Sequence, residues 1–389
     1  MSPAPVTLTA RAMLDRLVGF PTVSSVSNLD CIGFIKDYLA SHGVASRLVP
    51  SPDGTKANLY ATIGPEVAGG VVLSGHTDVV PVEGQAWTSS PWTLTERNGR
   101  LYGRGTCDMK GFDALVLAAV PAMVRAKLTR PIHIALSYDE EVGCLGAPLM
   151  VAEMVKTVPT PAAIIVGEPT RMQVVTGHKG SLSFRTEVTG HTVHSSRIDQ
   201  GVSAVMVAAR LITWLADTMA ENARKADPAN PFEPPYTTLH CGTIHGGTAG
   251  NVVASDCVFV TDIRAIPSED PVDFRDRYLA YIRDVIEPEM KRIAPHSGVA
   301  VVPRAFVPGL KPETEGAAER LARRLTGDNG VHVVSYGTEA GQFQEPGWST
   351  VVCGPGDIAQ AHQADEFIEI SEFEAGERFM ARLIEDCTA

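Results

Sequence analysis

The sequence predicts a mostly parallel α/β domain that is interrupted by an inserted α+β domain. The length of 389 residues exceeds that of one ordinary domain. Short apolar runs alternate with helical periodicity in the first half of the chain and again after about residue 299, which is typical of a parallel sheet flanked by helices. Between these regions, strands of alternating polarity are separated by amphipathic helices, which indicates a small sheet covered on one face.

The first α/β segment contains four buried strands and two helices. Each strand is a short, uninterrupted apolar run, and the runs lie at 59–63, 70–74, 132–137 and 163–166. In each helix, apolar residues recur every three to four positions, and these patterns lie at 113–125 and 147–155. The segment therefore has the strand–helix alternation of a parallel sheet.

The inserted segment is predicted at 180–292, because the pattern changes near Gly180. Its strands alternate in polarity at 181–188, 237–243 and 256–264, and its helices lie at 203–217 and 274–286. The proline-rich stretch 227–235 is a predicted loop. The α/β pattern then returns with helices at 315–325 and 371–386 and strands at 331–335 and 350–353. The α/β domain is accordingly predicted to comprise 1–179 and 293–389.

Composition and charge argue against two classes of binding partner, nucleic acids and membranes. The net charge of −12 disfavours a nucleic-acid surface, which needs clustered Lys and Arg. No apolar stretch approaches the roughly 20 residues that cross a bilayer, and the N-terminal residues lack a signal-peptide pattern. The seven scattered cysteines form no Cys-x-x-Cys pair and are expected to be reduced thiols. We therefore expect a cytoplasmic protein that acts on small molecules, without a nucleic-acid or membrane partner.

Five separated segments carry residue types that bind metal ions, most of them where a predicted strand ends. The carboxyl ends of strands form the ligand crevice of open α/β sheets, so these segments can converge. The segments are Ser-Gly-His-Thr-Asp at 74–78, Gly-Arg-Gly-Thr-Cys-Asp-Met-Lys-Gly at 103–111, Asp-Glu-Glu at 139–141, Val-Gly-Glu-Pro-Thr at 166–170 and Ala-Gln-Ala-His-Gln at 359–363.

The residue types suit two divalent metal ions, of which zinc is the first choice, while cobalt and manganese accept similar ligands. In this hypothesis Asp108 bridges the two ions. His76 and Glu168 complete one site, and Glu141 and His362 complete the other. Three carboxylates then offset three of the four positive charges. A lone His-x-Asp or an acidic run is more often structural, so the prediction depends on all five segments together.

Two further residues have predicted roles beside the metal ions. His76 and Asp78 share a face of an extended strand, so Asp78 can hold the imidazole ring by its other nitrogen. Glu140 and Glu141 would point in opposite directions in a regular strand, and both can serve one site only if the backbone turns there. Nearby glycines favour such a turn. The division of labour would be Glu141 as ligand and Glu140 as general base.

These segments resemble the M20 metallopeptidase family, and they match it in the expected order from about residue 59 to residue 367. The resemblance implies a co-catalytic dizinc site with Glu140 as the base, and a cis peptide bond just after Asp108. It also implies a catalytic domain of the zinc-aminopeptidase type that carries a ferredoxin-like lid or dimerisation domain. A homodimer is expected on the same ground.

Three residues of the inserted segment resemble substrate contacts of this family. His194, in Gly-His-Thr-Val-His-Ser-Ser, matches a lid histidine that stabilises a developing oxyanion, often across the dimer. Its local sequence also fits an ordinary polar turn before a helix, with a serine as the N-cap. Asn251 and Arg264 resemble residues that grip the substrate. Arg264 suits a substrate α-carboxylate, and a structural salt bridge is the competing interpretation.

The segment 335–343 looks most like that of the acetylornithine deacetylases within the family. Desuccinylases typically carry Asp-Gly-Arg here, whereas this chain has Glu-Ala-Gly-Gln at 339–342. Glu339 is therefore a candidate contact for the ammonium group of an N-acylated amino acid, and a position behind or at the rim of the site is the alternative. The expected reaction releases acetate from N-acetyl-L-ornithine, a step of arginine biosynthesis. The alternatives are a desuccinylase, an acylamino-acid deacylase, a dipeptidase and, in another class, a catalytically silent metal-dependent binding protein.

Overall fold

The computed structural model describes residues 6–389, which form two compact units. The first unit contains the described residues up to Gly177, together with Leu310–His332 and Thr338–Ala389. The second unit contains His178–Gly309 and Val333–Gly337. The predicted return to the α/β domain at 293 is therefore too early. The reason is that the strand Gly298–Val307 pairs with a strand of the second unit.

The strands and helices are numbered here along the chain. The strands are β1 (Ser46–Pro50), β2 (Ala57–Ile63), β3 (Val71–His76), β4 (Thr95–Arg97), β5 (Arg100–Tyr102), β6 (Ile132–Ser137), β7 (Ala163–Pro169), β8 (Val175–His178), β9 (Gly180–Thr189), β10 (Thr238–Gly246), β11 (Asp256–Ala265), β12 (Gly298–Val307), β13 (His332–Val334), β14 (Thr350–Gly354) and β15 (Phe367–Glu369). The helices are α1 (Ala10–Val18), α2 (Leu29–Ser41), α3 (Lys110–Arg125), α4 (Ala147–Thr157), α5 (Ala204–Lys225), α6 (Pro271–Tyr281), α7 (Glu287–Ile293), α8 (Ala317–Thr326), α9 (Ala340–Gln344) and α10 (Ile370–Asp386).

The central sheet of the first unit includes seven strands in the order β1-β2-β6-β3-β7-β14-β8. Its middle strands β6, β3, β7 and β14 run parallel, and β2 and β8 flank them antiparallel. Every residue of β3, β6 and β7 is buried. Strands buried on both faces read as continuous apolar runs, which is why the sequence predicted them. The expected α/β architecture is confirmed.

The first unit also contains elements that the sequence did not predict. Helices α1 and α2 precede the sheet and contribute Met13, Leu17 and Ile35 to its apolar core. A separate three-stranded sheet has the order β15-β5-β4. In it, Phe367 lies opposite Tyr102, so the chain just before β15 is held beside the chain that follows β5. Strands this short carry no readable periodicity.

The second unit is a four-stranded antiparallel sheet in the order β10-β11-β9-β12. With helices α5, α6 and α7 between the strands, this is the ferredoxin-like arrangement that the family resemblance implied. The predicted helix at 274–286 is split, because a π-helical turn at Ile282–Ile286 separates α6 from α7. The first and last strands pair with each other, and a Cβ added to Gly180 would lie 3.0 Å from the amide nitrogen of Gly309.

Two expectations from composition concern the whole chain. All seven cysteines are free thiols, as expected. Over residues 6–389, none of the helices combines the length and the apolar character that a membrane crossing requires.

Candidate metal centre

The predicted ligands lie at the carboxyl end of the parallel strands. His76 is the last residue of β3, and Glu168 lies at the end of β7. Glu141 follows β6, while Asp108 lies in the turn that leads into α3. His362 comes from the loop between β14 and β15. The topology therefore brings five segments that are distant in sequence to one edge of the sheet, as the strand-end argument predicted.

One group of possible ligands consists of His76, Asp108 and Glu168, all of them buried. The Nε2 atom of His76 lies 3.1 Å from Oδ1 of Asp108 and 3.7 Å from Oε1 of Glu168. Nδ1 of the same ring donates a hydrogen bond to the backbone oxygen of Asp78 at 2.9 Å. This bond fixes the tautomer and leaves Nε2 with a lone pair for a cation.

A second group consists of Asp108, Glu141 and His362. The Nε2 atom of His362 lies 3.1 Å from Oδ2 of Asp108 and 2.9 Å from Oε2 of Glu141. Asp108 thus presents one oxygen to each histidine, which is the geometry of a bridging carboxylate. In each group one candidate atom per residue lies within 4.8 Å of the others. Two imidazole nitrogens and three carboxylates at such spacing suit two ions of the zinc type.

The electrostatics of the centre also fit bound cations. Burial raises the pKa of Glu168 well above its usual range, and the charges of Asp108 and Glu140 raise it further. Burial, together with the charge of Asp108, also raises the pKa of Glu141 to about 7. The hydrogen bond from His362 acts against this shift but is weaker. These shifts mean that the carboxylates repel one another in a poorly solvated place. Cations between them would remove that repulsion.

The pKa values of the two histidines are also raised, but by the neighbouring carboxylates. Burial lowers the pKa of His76, but the hydrogen bond to Asp108 and the surrounding carboxylates raise it well above the ordinary value. Hydrogen bonds to Asp108 and Glu141 raise the pKa of His362 to about 10. Burial disfavours the charge of Asp108, yet its bonds to both histidines hold its pKa well below the usual range. Without cations, the histidines therefore hold protons at the positions that cations would take.

The backbone turns sharply after β6, as the adjacent pair Glu140 and Glu141 required. Asp139 has a φ of +56°, and Cys144 has a φ of +53°. The carboxylate of Asp78 accepts the amide of Glu140 at 3.1 Å on Oδ1 and the amide of Glu141 at 3.3 Å on Oδ2. Asp78 therefore holds the turn in place.

Asp78 does not hold His76 in the way that was predicted. Its Oδ1 lies 3.6 Å from Nδ1 of His76. That nitrogen instead donates a hydrogen bond to the backbone oxygen of Asp78. The carboxylate instead accepts hydrogen bonds from the two turn amides and from the hydroxyl of Ser24, which donates to Oδ2 at 2.7 Å. The hydroxyl contact was not anticipated from the sequence.

Glu140, the predicted general base, lies beside the ligands, and its pKa is shifted upwards. Burial raises its pKa to about 8; His76 acts against this shift, whereas Glu141 and Asp108 add to it. The thiol of Cys144 lies 3.2 Å from Oε1 of Glu140. Bound cations would lower this pKa towards the range in which a carboxylate accepts a proton from water.

Glu366 is a buried residue of the centre that sequence reasoning missed. Its Oε1 accepts the amides of Cys107 at 2.9 Å and Asp108 at 3.0 Å, and its Oε2 accepts the amide of Gly105 at 3.0 Å. Arg104 pairs with Oε2 at 2.7 Å, and both side chains are only 1% exposed. The signal was present in the sequence as a glutamate four positions after His362, but one acidic residue in a loop does not reveal burial.

The peptide bond after Asp108 is cis, as the resemblance implied.

Glu339 lies in the interior, not on a surface that a substrate could reach directly. It is 1% exposed, and its two oxygens accept hydrogen bonds from the hydroxyls of Ser74 at 2.6 Å and Ser137 at 2.7 Å. Ser74 belongs to β3 and Ser137 to β6, so the carboxylate spans two strands that end at the metal centre. This placement contradicts direct contact with a substrate ammonium and favours the alternative, a position behind the site.

The remaining candidates belong to the second unit. His194 precedes a 3₁₀ turn at Ser195–Gln200 and caps it, because its Nδ1 accepts the amide of Ser196 at 3.2 Å. The cap is therefore the histidine and not a serine. The carbonyl of Asn251 accepts the amide of Ser195 at 3.0 Å, so His194 and Asn251 lie on adjoining backbone segments. Arg264 pairs through Nε with Asp262 at 2.8 Å, which is the salt bridge considered as the competing interpretation.

Comparison with known proteins agrees with this centre. The model of peptidase family M20/M25/M40 matches residues 72–386. Acetylornithine deacetylase from Proteus mirabilis is 34% identical over 378 residues, which is 95% of each chain. The enzyme of the same name from Photorhabdus laumondii is 35% identical over 378 residues, again 95% of each chain.

Solved structures of this family share the fold. An M20 family metallo-carboxypeptidase from Sulfolobus solfataricus superposes with a TM-score of 0.76 at 17% identity, covering 97% of this chain and 99% of the other. A dinuclear metal-binding peptidase of the M20 family from Bacillus subtilis superposes with a TM-score of 0.62 at 15% identity, covering 96% of each chain. With the family match over most of its length and ligand groups suited to two cations, this chain belongs to peptidase family M20/M25/M40 and is a metallohydrolase.

Proposed function

We propose that this protein hydrolyses N-acetyl-L-ornithine to L-ornithine and acetate with two divalent metal ions, of which zinc is the first choice. The observation that carries the proposal is the pair of ligand groups that share Asp108, with Glu140 beside them. Relatives that are 34–35% identical over 95% of the chain are named acetylornithine deacetylase, which supports this substrate among those of the family.

In this mechanism the five predicted ligands hold the ions. His76, Asp108 and Glu168 would hold one, and Asp108, Glu141 and His362 would hold the other. Bound there, the ions would polarise the acetyl carbonyl and lower the pKa of a water molecule.

Glu140 would accept the proton of the attacking water and later deliver it to the departing amine. Asp78 supports this role because it holds the amides of both Glu140 and Glu141. General base catalysis by one positioned carboxylate contributes about 10²- to 10⁴-fold to a rate.

Substrate recognition is proposed for three residues of the second unit on the strength of the family resemblance. His194 would donate a hydrogen bond to the developing oxyanion, and Asn251 and Arg264 would hold the substrate. Arg264 would share its guanidinium between Asp262 and the α-carboxylate of the substrate. Glu339 is not part of this set, since its oxygens are taken by two serine hydroxyls.

The direct test is acetate release from N-acetyl-L-ornithine by protein loaded with zinc, cobalt or manganese. Succinyl-diaminopimelate, an acylated neutral amino acid and a dipeptide serve as competing substrates. We expect kcat/KM to be highest for N-acetyl-L-ornithine. A higher value for another substrate would assign the chain to a different activity of the family. Tight binding of all of them without turnover would favour a metal-dependent binding protein.

The variant Glu140→Gln tests the mechanism. It keeps the size of the side chain but removes the proton acceptor, so we expect kcat to fall about 10²- to 10⁴-fold while two ions remain bound. Metal analysis of the purified variant is the control. Full turnover with both ions present would refute the role of Glu140.

A further inference from the structure

The loop that carries His362 has an uncommon backbone conformation at two residues. His362 has a φ of +62°, and Asp365 has a φ of +55°. Residues other than glycine adopt this left-handed region uncommonly, although Asp and His do so more readily than most. The side chain of His362 is 51% exposed, so packing contributes little to holding this backbone.

Gln85 holds the backbone of His362. Its Nε2 donates a hydrogen bond to the carbonyl oxygen of His362 at 3.0 Å. Its Oε1 accepts from Nη2 of Arg104 at 2.5 Å and from the indole nitrogen of Trp87 at 3.0 Å. With two donors on one side and a carbonyl on the other, the amide has one orientation that satisfies every partner.

These bonds continue to the bridging carboxylate. Arg104 also donates to Oε2 of Glu366 at 2.7 Å, and Oε1 of Glu366 accepts the amide of Asp108 at 3.0 Å. Gln85, Arg104 and Glu366, which we call the Gln85 network, thus connect the backbone of His362 to that of Asp108. His362 belongs to one ligand group only, whereas Asp108 belongs to both.

The other ligand group is held differently. His76 and Glu168 lie on β3 and β7, two strands that pair in the centre of the sheet. Their positions depend on the strand ladder. The third member of this group, Asp108, is separated from Gln85 by Arg104 and Glu366, whereas Gln85 bonds directly to His362. A change in the network should therefore affect the two ligand groups unequally.

We propose that Gln85 is a positioning residue for His362 and therefore for the ion held by Asp108, Glu141 and His362, with a smaller effect on the ion held by His76, Asp108 and Glu168. The inference rests on the proposed metal centre and deepens it. Partners that orient metal ligands typically contribute 10- to 100-fold to metal affinity. Gln85 itself touches neither the ions nor the substrate in this scheme.

Titration of the metal-free protein with zinc, in competition with a chelator, tests the inference independently of activity. His362→Ala removes a ligand and identifies the binding step that belongs to its ion. We expect Gln85→Ala to weaken that same step by about 10- to 100-fold and to weaken the other step much less.

Two further variants make the test specific. Gln85→Glu keeps an acceptor for Arg104 and Trp87 but replaces the donor that faces the His362 carbonyl, so we expect at least the same loss. Gln344→Ala is the matched control, because Gln344 is also partly exposed and bonds through Nε2 to a backbone oxygen, that of Lys311, at 2.8 Å. It should bind both ions as the unmodified protein does.

The possible outcomes separate this inference from the proposed function. Equal weakening of both steps by Gln85→Ala, no weakening of either, or normal binding by Gln85→Glu would overturn the role of Gln85. An unmodified protein that binds two ions but releases no acetate would refute the proposed reaction and leave the inference standing. An unmodified protein that binds fewer than two ions would overturn both.

Discussion

Glu339 was a candidate substrate contact from the sequence, but the structure places it in the interior. A carboxylate in the segment 335–343 suits a cationic substrate, and that reasoning made it a candidate contact. The structure gives its two oxygens to Ser74 and Ser137 in the interior. Burial of a polar side chain depends on partners far away in sequence, so one sequence could not reveal it.

Glu339→Gln distinguishes the two placements. Because Glu339 lies behind the site, we expect the variant to bind N-acetyl-L-ornithine with little change in KM. A direct bond to the substrate ammonium would be worth about 1.5–3 kcal/mol, and its loss would raise KM by roughly ten- to a hundredfold. Steady-state kinetics measures KM, and the melting temperature reports separately on the lost buried hydrogen bond. A KM increase of that size would restore the substrate contact.

Asp78→Asn tests whether Asp78 supports the turn that carries Glu140 and Glu141. The carboxylate accepts two backbone amides, and an asparagine offers one acceptor and places an NH₂ group against the other amide. We expect kcat to fall about 10- to 100-fold, the usual effect of losing a group that orients a site. Ser24→Ala is the control, since it removes only the hydroxyl that bonds to Oδ2. Equal effects of the two variants would argue against this role.

At the scale of elements, the sequence was informative where an element is long and uniformly buried. The strands β3, β6 and β7 were predicted because every residue in them is buried, which leaves an unbroken apolar run. The three-residue strands β4, β5 and β15 carry no such pattern. The strand β12 alternates weakly, and its partner β9 lies far back in the chain, so the boundary of the inserted unit was placed too early.

The candidate ligands were identifiable because their residue types are chemically distinctive and follow strand ends. The residues that hold these ligands in place could not be identified in this way. Glu366 accepts backbone amides, Gln85 donates to a backbone carbonyl, and Arg104 connects the two side chains. Such bonds depend on loop geometry. No pattern along one sequence encodes that geometry.

The second unit presents an edge strand, and we propose that it mediates a homodimer. Strand β10 ends its sheet, and Ile244 on it is 47% exposed, while Met206 on α5 is 63% exposed. An open edge beside apolar side chains favours pairing with another copy. We expect light scattering to report a dimer, and Met206→Glu to shift it towards monomer. Val331→Glu, at an 80% exposed valine of the first unit, should leave the dimer intact.

At the scale of the whole molecule, the charged centre makes stability depend on pH and metal. In the metal-free protein, burial raises the pKa of Glu140 to about 8 and of Glu141 to about 7, from an ordinary glutamate pKa of 4.5. Between these values the folded protein binds more protons than the unfolded chain, so the free energy of unfolding falls as pH rises. His362 acts in the same direction from 6.5 to about 10. Asp108, whose pKa is lowered, matters only at acidic pH.

We therefore expect the metal-free protein to lose stability steadily from about pH 5 to pH 9. Chemical denaturation at constant ionic strength measures this trend. Saturating zinc binds the deprotonated ligands, so it should stabilise the protein most at the alkaline end and remove or reverse the slope. Stability of the metal-free protein that rises over this interval would contradict the assignment of these carboxyls to one buried centre.

The pairing of β9 with β12 has a consequence for how this molecule could have been assembled. The chain departs from the first unit and comes back to it at almost the same point, where Gly180 and Gly309 nearly touch. A segment whose two ends meet can be gained, lost or exchanged with little change in its host, because the host fold closes over a short gap. A transplant of residues 180–309 from a relative would also need 333–337, which belong to the same unit.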